Sequence, residues 1–134
     1  MTMPDTQPGH PVEVLSRRTF DETVDRLTRA IKDAGLLLIA RMDHGAGAQA
    51  AGLVMPPTIV LVYGHPRGGT PVMQAVPLAA LDLPLRVMVR EVSPELSIAA
   101  FHPIVPMLER LGVPAELSRP LERAQDLIRD ALRP

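Results

Sequence analysis

The sequence predicts an α+β fold of two layers: a mainly antiparallel sheet of four to five strands with helices on one face. Three observations carry this. Residues 19–34 and 118–131 each repeat apolar side chains at helical spacing, giving one apolar stripe per helix. Residues 85–91 alternate cleanly and residues 96–101 return after Ser93-Pro94-Glu95, as the arms of a β-hairpin do. The two long helical segments stand apart, with most of the strand-like runs gathered between them, which favours helices segregated to one side of a sheet.

The totals narrow the functional classes. A chain of 134 residues fits a single domain, taken here as residues 11–134 after a polar, Pro- and Gly-containing lead-in over 1–10 that reads as disordered. Phe20, Tyr63 and Phe101 are the only aromatic residues, so the core must be aliphatic and the stacking platforms of single-strand nucleic-acid binders are missing. A net charge of −1 with interspersed signs shows no basic stripe, so nucleic acid is not an expected partner. No cysteine is present, which removes disulfides, thiolate metal sites and cysteine nucleophiles together. The start of the chain has no secretory pattern, and no apolar run reaches the length of a membrane span. A cytoplasmic protein without a membrane partner is the expectation.

Along the chain, residues 12–17 form the first strand. Thr19-Phe20-Asp21-Glu22 then matches a capping box, in which the Thr19 hydroxyl and the Glu22 carboxylate each accept from the other's backbone N–H. Glu22 with Arg26 and Asp25 with Arg29 are acid-before-base pairs four apart. Gly35 is placed to end the helix in a left-handed conformation. Residues 36–42 read as a second strand, more buried at its start than at its end, and residues 46–53 as a short helix broken by Gly47 and Gly52. Pro56-Pro57 enforces an extended entry to a third strand over 58–63. Residues 64–69 read as a glycine turn, with Thr70 and Pro71 as N-cap and first residue of a helix that Pro77 limits to about two turns. A second short helical piece fills 78–83. The hairpin follows, then a short helix over 104–111 stopped by Gly112, then a last helix capped by Ser118.

The stretch 57–85 is the candidate site. Gly64, four residues, Gly69 and Thr70 outline a phosphate loop, but its lysine is missing, which excludes nucleotide hydrolysis of that type. Gly68, Gly69 and Thr70 at a helix N-terminus remain a candidate anion cradle, or simply a tight strand-to-helix connection. Asp43, His44, His65 and Asp82 form a candidate metal or acid–base cluster if their strands are neighbours; otherwise Asp43 caps the next turn and His44 hydrogen-bonds across the strand ends. Asp82 either accepts backbone N–H groups at its corner or contacts a ligand. Arg86, Met88 and Arg90 share one strand face, which Arg41 and Arg17 are expected to join on the outer side of the sheet. That face and the edge strand are the two routes to a homodimer.

The ordered set Thr19-Phe20, Asp43-His44, Gly64-x-Pro66 with Gly69-Thr70-Pro71, Met73-Gln74 and Asp82-Leu83-Pro84-Leu85-Arg86 resembles the domain of unknown function 302 family. The resemblance runs from about residue 12 to 106, and more loosely to the end. It implies a fold of the TATA-binding-protein-like kind, ordered strand, helix, four strands, helix. It also implies that homodimers are plausible, and brings no activity, cofactor or catalytic residue. The chain departs from that family at His65, where Asn is frequent, and at Phe101-His102-Pro103, where an Asn-Asp-Pro-like corner is common.

The expected function is a binding module for a small polar or anionic ligand, acting as a homodimer, with His44, His65, Arg67, Gly68, Gly69, Thr70 and Asp82 around the site and no cofactor or metal. The alternatives are a self-associating structural protein without a ligand, or a metal-assisted enzyme using Asp43, His44 and His65. No nucleophile elbow or glycosidase-like carboxylate pair points to catalysis.

Overall fold

A computed structural model describes residues 9–134; the first eight residues of the lead-in lie outside the described residues. In chain order the elements are β1 (Val12–Ser16), α1 (Phe20–Asp33), β2 (Leu37–Asp43), α2 (His44–Ala50), β3 (Thr58–Gly64) and α3 (Pro66–Ala75). A 3₁₀ segment (Pro77–Asp82) leads into β4 (Leu85–Ser93), β5 (Leu96–Phe101), α4 (Ile104–Arg110) and α5 (Ala115–Ala131). The five strands form one sheet in the order β1-β5-β4-β3-β2, with every neighbouring pair antiparallel.

Alternation decides which side of the sheet is covered. Ile59, Leu61 and Tyr63 of β3, Leu85, Val87 and Val89 of β4, and Ala99 and Phe101 of β5 are buried under the helices. α1 contributes Val24, Leu27 and Ile31, and α5 contributes Leu121, Ala124 and Ile128 to the same core. α5 crosses the layer and touches α1, α3 and α4. Tyr63, the largest fully buried side chain, sits between sheet and α5, its hydroxyl 3.4 Å from the Ala124 carbonyl. The opposite face carries Val60, Val62, Arg86, Met88, Arg90, Ile98 and Ala100, all at least partly exposed.

Local rules hold at the first helix. The capping box is complete, with Thr19 Oγ1 accepting from Glu22 N–H and Glu22 accepting from Thr19 N–H. Gly35 ends α1 at φ +79, where Leu36 N–H reaches back to the Ile31 carbonyl. Glu22 is therefore committed to its own helix start. Its expected partner Arg26 instead donates to the Ala131 carbonyl, while Arg18 donates to the carbonyls of Leu132 and Arg133. Two cations thus close the C-terminus of α5, where unpaired carbonyls and the helix dipole favour positive charge.

Three sequence expectations fail for identifiable reasons. α3 starts at Pro66 rather than after Thr70, so Gly68, Gly69, Thr70 and Pro71 are inside a helix and there is no glycine turn. α5 starts at Ala115, three residues before Ser118, whose hydroxyl is buried without a partner among the described residues instead of capping. β2 is more buried at its start, as expected, with Leu36 and Leu38 half-buried against the core, and the rest of this edge strand, flanked only by β3, is exposed. Arg41 pairs across from the inward-facing Leu61, so the irregularity between Leu38 and Ala40 turns it away from the arginine face.

Candidate functional site

One end of the sheet gathers most of the candidate residues. Gly64 pairs with Leu37, Tyr63 with Leu85, and Phe101 with Val12, so the end of β3, the starts of β2 and β4, the end of β5 and the start of β1 all lie together. His65 and His102 directly follow the ends of β3 and β5, and Pro84 directly precedes β4. Asp43 pairs with Ile59 at the opposite end. The seven residues of β2 therefore separate His44 from His65 by roughly 20 Å.

That separation removes the Asp43–His44–His65 cluster. Among the described residues no group of three or more His, Asp or Glu side chains could hold a metal ion. Asp43 instead caps α2, its Oδ1 accepting from Ala46 N–H at 2.9 Å. His44, the first residue of α2, is exposed and makes no hydrogen bond across the strand ends.

His65 is the N-cap of α3. Its Nδ1 accepts from Arg67 N–H at 3.0 Å, and its carbonyl accepts from the N–H groups of Gly68 and Gly69. Pro66 has no N–H to offer. The first four backbone positions of α3 therefore present no free donor, and the helix start cannot cradle an anion through its amides. With Nδ1 an acceptor, the neutral ring keeps its proton on Nε2, which remains as a donor.

The space beside α3 is a cleft of about 300 Å³. Its polar lining is His65 and Thr70; Ile39, Met73, Leu83, Pro84 and Leu121 make most of the rest apolar. Gly69 opens it, for a Cβ there would stand 3.7 Å from Met73 and 3.8 Å from Leu83. Gly64 also lines it; its φ of +156 is one that side-chain-bearing residues rarely adopt, and a Cβ would lie 3.8 Å from Pro84.

Arg67 and Gly68 line a different space, of about 360 Å³, together with Gly35, Pro120 and Leu121, and His65 and Gly64 border both. Asp82 faces neither space. It lines a third cleft, together with Arg86 and His102, and accepts no backbone hydrogen bond at its corner. Of the seven expected ligand residues, His65, Gly69 and Thr70 share one cleft, while His44 is remote from all of them. The apolar lining went unforeseen because Ile39, Leu83 and Leu121 come from three separate elements with no sequence pattern in common.

A five-stranded antiparallel sheet with one helical layer, its clefts at one sheet end, defines a two-layer α+β domain. The chain matches the family described as domain of unknown function DUF302 over residues 12–133, and it belongs to that family. The crystal structure of an uncharacterized conserved DUF302 protein from Bacillus stearothermophilus has the same fold, at a TM-score of 0.81 and 19% identity, covering 92% of this chain and 98% of that one. Among curated proteins, fluoride-specific ion channel FluC 1 of Brucella suis biovar 1 is 42% identical over 80 residues. FluC 1 of Brucella abortus biovar 1 matches to the same degree. The match takes in 60% of this chain but only 32% and 30% of those proteins, so the chain spans about a third of their length. Among the described residues no helix is long and apolar enough to cross a membrane.

Proposed function

We propose that the chain is a binding module for a small molecule with an apolar body and one polar end, held in the cleft between α3 and the Leu83–Pro84 corner. The observation that carries this reading is the lining: a 300 Å³ space, mostly apolar, with His65 and Thr70 as its polar groups. Sites for small ligands share that character, a concave apolar surface with a few placed hydrogen-bonding groups. The exhausted donors at the start of α3 favour a hydrogen-bonding head over a bare anion. The test is a thermal-shift screen of neutral and weakly polar metabolites. A ligand at a hundredfold its dissociation constant adds about 2.7 kcal/mol. Hits should be lost in Thr70→Val and Gly69→Leu. A flat screen, or hits that both variants retain, removes the proposal.

The same reading takes the protein as a homodimer formed along β2. Leu37, Ile39 and Met42 are each at least half exposed on this edge strand, and Leu53 and Val54 are still more exposed in the segment that follows. An apolar edge with unpaired backbone groups is a template for a second strand. The open sheet face suits a second copy less well, since each copy would bring Arg86 and Arg90 against one Glu13. Light scattering after size exclusion should give a dimer that Met42→Lys converts to monomer; a wild-type monomer at micromolar concentration ends the idea.

A second reading rests on the Brucella proteins: a module that works beside a fluoride ion channel. It predicts that cells lacking this protein are more sensitive to fluoride. Unchanged growth across a fluoride series counts against it.

A further inference from the structure

Beyond the Pro84 wall lies the third cleft, about 320 Å³ in volume. Pro84 and Leu85 line both it and the cleft beside α3. Its apolar lining includes Met88, Ile104 and Met107, and its ionisable lining is Asp82, Arg86 and His102.

Three features separate this arrangement from an ordinary charged surface. First, opposite charges share one concavity, yet among the described residues the side chains of Asp82, Arg86 and His102 make no hydrogen bond or ion pair within the protein. Second, the backbones of Arg86 and His102 are held in place. Arg86 sits in the β4 ladder opposite Val62, and the carbonyl of His102 accepts from Gln125 Nε2 at 2.9 Å. Third, the half-buried Asp82 and the exposed Arg86 and His102 border an apolar floor of the buried Ile104 and the half-buried Met88 and Met107, so charged and apolar surface lie side by side in one concavity.

The charge pattern selects the ligand. A simple anion on Arg86 would meet the carboxylate of Asp82, and a simple cation on Asp82 would meet the guanidinium. A molecule carrying both signs satisfies both. A volume near 320 Å³ lies at the small end of ligand sites, about 300–1,000 Å³. We propose that this cleft binds a small zwitterion with an apolar side chain, of the amino-acid class. Its carboxylate pairs with Arg86 beside His102, its ammonium pairs with Asp82, and its apolar part rests on Met88, Ile104 and Met107. Arg presents a fork that matches a carboxylate, and the methionines adapt to the shape of the apolar part.

The test titrates ¹⁵N-labelled full chain with L-leucine, with leucinamide, which lacks the carboxylate, and with 4-methylpentanoate, which lacks the amine. L-leucine should give saturable shifts centred on Arg86, Met88 and His102. Each truncated compound should bind at least about tenfold more weakly, the loss expected for one charged hydrogen bond. Arg86→Gln should weaken L-leucine by a similar factor and leave leucinamide unchanged; Asp82→Asn should weaken L-leucine and spare 4-methylpentanoate. Thr70→Val, in the other cleft, should leave all three affinities as they are, which keeps this test separate from that of the α3 cleft. The same spectra report whether each variant is folded. Absence of a saturable response to L-leucine, equal affinity for the three compounds, or shifts centred on His65 and Gly69 would each overturn the proposal.

Discussion

Gln125 shows how one buried side chain can set local geometry. Its Oε1 accepts from Ile104 N–H and its Nε2 donates to the His102 carbonyl, both at 2.9 Å, so it closes the start of α4, where Pro103 offers no side-chain cap. Gln125→Ala strands a buried donor and a carbonyl, and unfolding in urea should show a loss of about 2 kcal/mol. Ser16, Thr23 and Thr19 form a similar chain: Thr23 Oγ1 donates to the Thr19 carbonyl, so Ser16 Oγ supplies the hydrogen between the two hydroxyls. Glu22 acts at the surface. Hydrogen bonds from the Thr19 backbone and side chain hold its carboxyl below the ordinary value of 4.5. A depressed folded pKa means that its stabilisation is fully present above pH 4.5 and is lost as pH falls through the folded value. In Glu22→Gln the acid limb of the stability–pH curve should accordingly be shallower, as read from thermal midpoints between neutral pH and pH 3. Superimposable limbs would assign that acid sensitivity elsewhere.

At the scale of elements, what could be read from sequence depended on how local the determinants are. The capping box of α1, the Gly35 stop and the Asp43 cap each involve residues within a few positions, and all three appear as the sequence predicts. The start of α3 was ambiguous because two adjacent sites obey the same rule. Thr70-Pro71 pairs a capping residue with proline, and so does His65-Pro66, where Nδ1 supplies the acceptor. The earlier start extends α3 across Gly68 and Gly69 beneath α5, close enough that a Cβ on Gly68 would lie 3.4 Å from Leu121. Exposure of β2 could not be read from its own apolar run, since burial there depends on a neighbour that the sheet order denies it. The helical position of Gly69 gives a direct check. Its φ is not positive and a methyl has room, so Gly69→Ala should raise stability by about 0.5–1 kcal/mol in denaturant titration. If the segment were the glycine turn that the sequence suggests, the same change would destabilise.

The whole molecule can be followed through Tyr63, the single tyrosine of a chain without tryptophan. Burial pushes its hydroxyl well above the ordinary value of 10. A raised folded pKa gives stability that is fully present below pH 10 and is lost as pH rises through the folded value. Tyrosinate absorbance should therefore stay low past pH 10 and then appear in one step together with loss of helical circular dichroism. A gradual rise with helicity intact would mean that Tyr63 reaches water in the folded state. The fold as a whole was legible because helical and strand periodicities are averaged over many residues, whereas the clefts depend on which strand ends meet. Pro84 and Leu85 have a last consequence, as the partition common to two clefts. A guest that displaces this partition alters the affinity of the neighbouring space, and thermodynamic linkage makes that influence equal in both directions. Two occupants would then communicate over the width of one proline ring, with antagonism as the expected sign if each pushes the partition toward the other.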